Sequence, residues 1–486
     1  NKIQKFHLLE KIIMKKQAND ISGINQITLL TSPRPHGQNF SCKHDCYYCP
    51  NEPAHENNNW TPQPRSYLAR EPAVARANRN EFDPIKQTVD RLNSLLVCGH
   101  KCDKLEFILE GGTMTEYPKR YLEEFFQQFI YACNTYYENN KRPIKSLQEE
   151  IHENKYAKCR IIGICIETRP DAILENDEDN IPWIKTLLSW GVTRIQLGVQ
   201  HLDNAVLKKI NRGHSISKVI KAIEILKNNC FKIDIHMMPD LPGSTPEKDK
   251  EMFHELYTSS KYQPDQIKVY PCAVVPWTKI KEWYDEGKYK PYGEDKQLMG
   301  EVMEYILTQC PPWIRMPRVI RDIPEHYIEG GLKCSNMRQV ATNDLKKNSL
   351  ITKEIRSREI GRHPQYTIED AVYCERVYSA SNGTEYFLSF ETINNEALYG
   401  FLRLRIPNNS NNNNNIMFSD TIHNKCALIR ELHIYGGVEK VNSKGTRESI
   451  QHSGLGSKLL IAAEKIAIVC NMTHISIISG IGVRAY

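Results

Sequence analysis

Three cysteines within eight residues, Cys42-Lys43-His44-Asp45-Cys46-Tyr47-Tyr48-Cys49, constrain this chain more than any other stretch. Thiolates at C-x3-C-x2-C spacing suit three irons of a cubane cluster, and no fourth cysteine comes after them at matching spacing. One iron then keeps an open position, at which a ligand such as S-adenosylmethionine can chelate. The same residues also read as a zinc knuckle completed by His44 or His36, since short cysteine–histidine spacings are common zinc sites. The triad alone does not separate the two readings.

The segments on either side of it do. Gln26-Ile27-Thr28-Leu29-Leu30-Thr31 has strand character, and Ser32-Pro33-Arg34-Pro35-His36-Gly37 makes a rigid loop into the triad. Six further strand patterns recur at 105–110, 160–167, 193–200, 231–238, 266–270 and 314–320, with helical patterns such as 118–137 and 217–228 between them. Most are continuous apolar runs, as parallel strands covered on both faces are. The expected fold class is α/β, with a partial or complete radical-SAM β/α barrel that carries its chemistry at the carboxyl ends of the strands. Polar residues fall at those ends: Gly111 and Gly112, where a backbone approaches a ligand closely; Glu167 and Arg169; Gln196 and Gln200.

A length of 486 residues exceeds one ordinary core, so two domains are expected. The charge of +6 permits a polyanionic partner without demanding one. Fifteen cysteines with no secretory leader point to a reducing compartment, the cytoplasm or the nucleus. No apolar run approaches the ~20 residues that cross a bilayer, and the chain begins at Asn1 rather than Met. The expected organisation is a basic helix over 1–25, the barrel over 26–320, a basic linker over 321–362, and a second domain over 363–486. An asparagine-rich insertion at 408–415 interrupts the second domain and lacks the residues to build a core. Arg315, Arg318 and Arg321 form one arginine group; Arg356, Arg358 and Arg362 form another, and Arg76 and Arg79 a third. Their forks suit phosphate oxygens if they meet in space.

A second site opens at Gln451-His452-Ser453-Gly454-Leu455-Gly456, ahead of a helical pattern over 457–467. Small residues let backbone N–H groups converge there, and a helix start holds a pyrophosphate. This Q-x-x-G-x-G form is the one GNAT-type acetyltransferases use for acetyl-CoA, and Arg430-Glu431-Leu432-His433-Ile434 upstream has the strand character that would accept a thioester arm. An α+β GNAT domain is therefore expected after the barrel.

Taken together, Thr31-Ser32-Pro33-Arg34-Pro35, Ile166-Glu167-Thr168-Arg169-Pro170, Arg358-Glu359-Ile360-Gly361, Arg430-Glu431-Leu432-His433 and Ile478-Ser479-Gly480-Ile481-Gly482-Val483-Arg484 make the chain resemble the Elongator catalytic subunit family of tRNA uridine acetyltransferases. The resemblance implies carboxymethylation at carbon 5 of the wobble uridine. In that chemistry a 5′-deoxyadenosyl radical removes hydrogen from the acetyl methyl, the carbon radical adds to the base, and thioester hydrolysis leaves carboxymethyl. It also implies roles by position. Cys42, Cys46 and Cys49 would bind a 4Fe-4S cluster, and Lys104 would meet acetyl-CoA. Glu431, Leu432, His433 and Ile434 would meet its thioester arm, with Gln451, Gly454, Leu455, Gly456 and Ser457 at its pyrophosphate. Lys104, Glu167, Arg169 and His433 are the candidate catalytic residues, and Arg76, Arg79, Arg315, Arg318 and Arg321 the candidate RNA contacts. The implied partners are the tRNA anticodon loop, an electron donor and other Elongator subunits.

Three departures from the family pattern stand out. Cys42 and Cys46 keep the short general spacing where many eukaryotic members have a longer one. Residues 351–358 contain no thiol, so no linker zinc is expected. The family continues past Arg484-Ala485-Tyr486 with a second tyrosine and a tail over acetyl-CoA, so weak acetyl-CoA binding by residues 1–486 is expected. Two rival functions fit parts of the pattern: a protein (histone) lysine acetyltransferase using the GNAT site alone, and a catalytically inert tRNA-binding scaffold.

Overall fold

The computed structural model describes residues 24–334, 336–408, 425–436 and 454–485. Seven parallel strands form one sheet in chain order: β1 (Asn25–Leu30), β2 (Lys104–Glu110), β3 (Arg160–Thr168), β4 (Arg194–Gln200), β5 (Lys232–Met237), β6 (Gln266–Val269) and β7 (Arg315–Arg318). β1 and β7 are the two edges, so the sheet is an open half-barrel. Each strand falls on a predicted segment. Helices shield the outer face. Lys119–Asn134 buries Leu122, Phe125, Phe126, Phe129 and Ile130 at helical spacing, and Ile216–Asn228 buries Val219, Ala222, Ile223 and Leu226.

The inner face differs from the expectation of strands covered on both sides. Ile27, Leu29, Leu105, Phe107, Leu109, Ile233 and Ile235 are buried outward, whereas their alternates Gln26, Thr28, Lys104, Glu106, Glu110, Lys232 and His236 line a cavity. Side chains alternate along a strand with period two, so one apolar row and one polar row share each segment.

The second sheet runs in the order β12-β11-β10-β9-β8. Its strands are β8 (Val372–Ser379), β9 (Gly383–Glu391), β10 (Leu398–Pro407), β11 (Cys426–Ile434) and β12 (His474–Ile477). The first four are antiparallel, and β12 pairs parallel with β11. The helix Leu455–Val469 lies between β11 and β12 in the chain and seats Leu455, Leu459, Ala463 and Ala467 in a core with Phe387, Leu388 and Phe401. β8 and β12 have no strand pattern strong enough to predict them from sequence.

The second sheet docks under the amino-terminal ends of the barrel strands. Arg430, fully buried, donates to both oxygens of Asp265 at 2.7 Å, to Glu385 at 2.8 Å and to the Phe231 carbonyl at 2.9 Å. Ile481, from the last turn, is buried in the barrel core, and a Cβ on Gly480 would lie 2.2 Å from the Ile162 backbone. The candidate helix over 1–25 lies outside the described residues but for its last two, as does most of the asparagine-rich run. Among the described residues no helix is long and apolar enough to cross a membrane.

Candidate functional site

The cysteine loop lies over the carboxyl ends of the barrel strands, where segments after β1, β2, β3 and β4 converge. Each thiol meets a donor from a different segment. Cys42 is 3.4 Å from the Thr113 hydroxyl. Cys46 accepts from Arg212 Nη1 at 3.4 Å and Arg169 Nη1 at 3.7 Å, and Arg65 hydrogen-bonds Cys49. Arg169 is locked in place by both oxygens of Asp171, at 3.0 and 3.1 Å, and by the Arg212 carbonyl at 2.6 Å. Burial raises the Cys42 thiol, and burial together with the neighbouring cysteines pushes Cys49 up to about 11. Such thiols ionise only against compensating positive charge, and three guanidiniums provide it.

This donor set fits an anionic iron–sulfur cluster. Hydrogen bonds to the sulfurs and nearby charge are the features that tune such clusters. Of the histidines of the zinc reading, His36 is engaged by Glu124 at 2.9 Å, and His44 Nε2 faces Glu116 at 3.3 Å and Asp171 at 3.8 Å. Among the described residues no three His, Cys, Asp or Glu side chains are grouped as around a single ion; cubane ligands need not be, because each takes a different iron. Gly111 and Gly112 border the same loop. A Cβ on Gly111 would lie 1.9 Å from Thr31 Oγ1, and Gly112 has φ +89° with the Arg65 carbonyl 3.1 Å from a built Cβ.

A cavity of about 1970 Å³ begins at Tyr48 and Pro50, on either side of Cys49, and runs along the inner face of the half-barrel. Near the cysteine end it is lined by Glu110, Glu167, Gln200, His236 and Lys268, and near the other by Lys104, Glu106, Arg194 and Lys232. Six residues of extended chain separate Lys104 from Glu110, about 20 Å. The wall is knit by polar contacts: Gln26 to Glu106 at 2.7 Å, Arg194 to Gln266 at 2.9 Å, His236 to Gln196 at 2.9 Å and Lys268 to Gln196 at 2.5 Å. Burial, then repulsion from Glu167, raises Glu110 to about 7. The Tyr67 hydroxyl donates to Glu167 at 2.5 Å. Burial and Lys268 hold His236 well below its ordinary value, so it is neutral.

At its far end the cavity opens between β11 and the helix Leu455–Val469. β12 pairs with β11 only from Cys426 to Ile429, and beyond that point the strands part. The β10–β11 register slips between Arg403 and Leu404, so Arg430 is an extra residue that bends β11. The wedge is lined by residues 430–435 on one side and 454–457 on the other. Gly454 sits at φ +87° as the helix N-cap, and a Cβ on Gly456 would touch Ile434 at 3.8 Å and Leu432 at 4.0 Å. The His433 ring lies against Tyr435, centroids 4.4 Å apart and tilted by 41°. Against the burial penalty, Lys232 and Arg403 hold the Glu431 carboxyl at about 2, which leaves it ionised and engaged. Gln451 lies outside the described residues.

Of the candidate RNA contacts, Arg76, Arg315, Arg318 and Arg321 line this cavity, whereas Arg79 is not among its lining residues. Several are already engaged. Arg315 donates twice to Glu359, Arg321 to Glu71 and the Ser66 carbonyl, and Arg76 to the Thr28 carbonyl. Arg318 is half exposed and faces Asp322 at 3.2 Å. Arg169 serves the cysteine loop rather than the cavity. Sequence reasoning does not single out Arg65, Arg212, Tyr67, Glu110 or Lys268. Glu110 and Lys268 carry one signal, their place at or near the end of a barrel strand, whereas Arg65, Tyr67 and Arg212 lie well along the connections after β1 and β4 and carry none.

Two family models match the chain: the Radical SAM superfamily over residues 40–256 and the Radical_SAM C-terminal domain over 264–347. Membership of that superfamily implies S-adenosylmethionine and an iron–sulfur cluster. The chain is 38% identical to the tRNA uridine(34) acetyltransferase of Methanocaldococcus infernus, over 99% of this chain and 85% of that one. It is 32% identical to Elongator complex protein 3 of Saccharomyces cerevisiae, over 99% and 83%. A solved structure of archaeal Methanocaldococcus infernus Elp3 superposes with a TM-score of 0.77 and 34% identity, covering 96% of each chain. With the cysteine loop, the half-barrel and the second sheet in place, these likenesses show that the chain belongs to the tRNA uridine(34) acetyltransferase and Elongator complex protein 3 family of radical SAM proteins.

Proposed function

We propose that this protein is a tRNA uridine acetyltransferase that uses acetyl-CoA and a SAM-derived radical to begin 5-carboxymethylation of the wobble uridine. One observation carries the reading: a single cavity runs from the residues flanking Cys49 to the wedge at Gly454–Gly456. Two reactive groups bound at its ends would share one enclosed space. When bound, S-adenosylmethionine and the cluster supply a primary carbon radical that no side chain can generate.

In this reading Cys42, Cys46 and Cys49 hold the 4Fe-4S cluster, with Arg169 positioning the Cys46 sulfur and Gly111 and Gly112 receiving the methionine end. Lys104, Glu431, Leu432, His433 and Ile434 line the thioester arm, and Gln451, Gly454, Leu455, Gly456 and Ser457 hold the pyrophosphate. Glu167 accepts from the Tyr67 hydroxyl, and Glu110 beside it, raised to about 7, holds a proton at the strand ends. Arg76, Arg79, Arg315, Arg318 and Arg321 attract the RNA backbone, and the base enters unstacked, as single-stranded loops are commonly read. The setting is the cytoplasm, with an electron donor and other Elongator subunits as partners.

The test is anaerobic incubation of reconstituted protein with tRNA, S-adenosylmethionine, acetyl-CoA and a reductant, and then nucleoside mass spectrometry. Carboxymethyluridine is expected from the wild type and none from Cys46→Ala. Unmodified tRNA together with lysine acetylation that survives Cys46→Ala would favour the protein acetyltransferase instead.

A further inference from the structure

The basic stretch after β7 carries charge that its ion pairs do not neutralise. Arg338 on the helix Met337–Lys347, Arg356 on the short helix Ile355–Arg358, and Arg362 all line the cavity beside Arg315. Two carboxylates face these guanidiniums. Glu359 takes Arg315 at 2.7 Å and Arg362 at 3.4 Å, and Glu354 takes Arg338. Glu354 also accepts the main-chain N–H groups of Met316 at 2.9 Å, Arg356 at 2.8 Å and Ser357 at 2.9 Å, so its oxygens are saturated.

Arg356 is left over. Among the described residues its guanidinium donates to the Pro317 carbonyl and pairs with no carboxylate. Burial, then crowding by Arg338, Arg315 and Arg362, lowers its pKa to about 10. An under-neutralised guanidinium with spare donors, on a cavity wall shared with Tyr435, is matched by a tetrahedral anion that accepts two parallel N–H bonds.

We propose that Arg356, flanked by Arg338 and Arg362, is a seat for a phosphate group, separate from the helix start at Gly454. The inference rests on the tRNA-modifying function proposed for this cavity, which brings two phosphate sources to it: the RNA backbone and the coenzyme. The coenzyme's pyrophosphate already has the Gly454–Ser457 segment in that reading, so the RNA backbone is the expected occupant.

Fluorescence anisotropy with a short anticodon stem-loop RNA over a salt series, and calorimetry with coenzyme A, separate the sources. Arg356→Gln and Arg362→Gln are each expected to weaken RNA binding several-fold, to lower the salt slope by about 0.7 as one single-strand phosphate contact is lost, and to leave coenzyme affinity unchanged. Arg356→Lys restores part of the RNA affinity. Lost coenzyme affinity with intact RNA binding would support the seat and assign it to the coenzyme. If the wild type binds both ligands and neither variant changes either affinity, the seat is overturned while the functional reading stands. A wild type that binds neither ligand overturns that reading and the seat with it. Arg362 is 41% exposed, so its variant reads the result even where Arg356→Gln fails to fold.

Discussion

Glu110 and Glu167 close neighbouring strands with both carboxyls in one cavity, and the raised value of about 7 for Glu110 has a measurable consequence. A carboxyl raised in the folded state from its ordinary 4.5 contributes stability at low pH that is lost as pH climbs through the folded value. Glu110→Gln removes that loss. The substitution should be more stabilising at about pH 8 than at about pH 5.5, by roughly 2 kcal/mol in denaturation experiments. Parallel pH profiles for variant and wild type would contradict the assignment. Gly111 gives a second test: a methyl group placed 1.9 Å from Thr31 Oγ1 and 3.3 Å from the Tyr117 hydroxyl must displace the side chains that border the cysteine loop. Gly111→Ala is expected to lower iron incorporation on reconstitution, read by iron and sulfide counts.

At the scale of elements, the wedge in the second sheet depends on the bulge at Arg430 and on the left-handed cap at Gly454. A Cβ on Gly454 meets nothing within 4 Å, so Gly454→Ala is charged only for its backbone conformation, about 1–2 kcal/mol. Acetyl-CoA affinity should fall in calorimetry while the reconstituted cluster's visible spectrum is unchanged. The same local geometry decides which elements are legible in the sequence. The seven barrel strands and the helix after Gly454 are visible because apolar runs and glycine spacing are local signals. β8 is not: it alternates partly buried residues with exposed Val372, Tyr373 and Val377 at a sheet edge. β12 has only four residues. Cys42, Cys46 and Cys49 are legible by spacing and Arg169 by its place at a strand end, whereas Arg65 and Arg212 reach the sulfurs from loop positions that carry no local signal. The polar inner face is masked because its residues are interleaved with the apolar row that packs outward.

For the whole molecule, the decisive feature is a buried ionic joint. Asp265 and Lys227 of the barrel half meet Glu385, Arg403, Arg405 and Arg430 of the second sheet, all with side chains at most 1% exposed. Despite burial, Arg430, Lys227 and Arg403 hold Asp265 well below the ordinary carboxylate range, and burial lowers Lys227 to about 8. Arg430→Met would remove the guanidinium shared by Asp265 and Glu385, leaving Asp265 with Arg403 at 3.6 Å and Glu385 with Arg405 at 3.2 Å and Lys227 at 3.4 Å, at a cost of roughly 3 kcal/mol. Urea unfolding of that variant is expected to separate into two transitions, and that of the wild type to show coupled loss of both halves. That joint sets the wedge under the barrel and keeps the passage continuous. The most direct test of the passage tracks an atom through it. Reconstituted protein is incubated anaerobically with tRNA, S-adenosylmethionine and acetyl-CoA deuterated on its methyl group. Deuterium appearing in the 5′-deoxyadenosine is the predicted result; 5′-deoxyadenosine formed at an undiminished rate without the label would contradict the account.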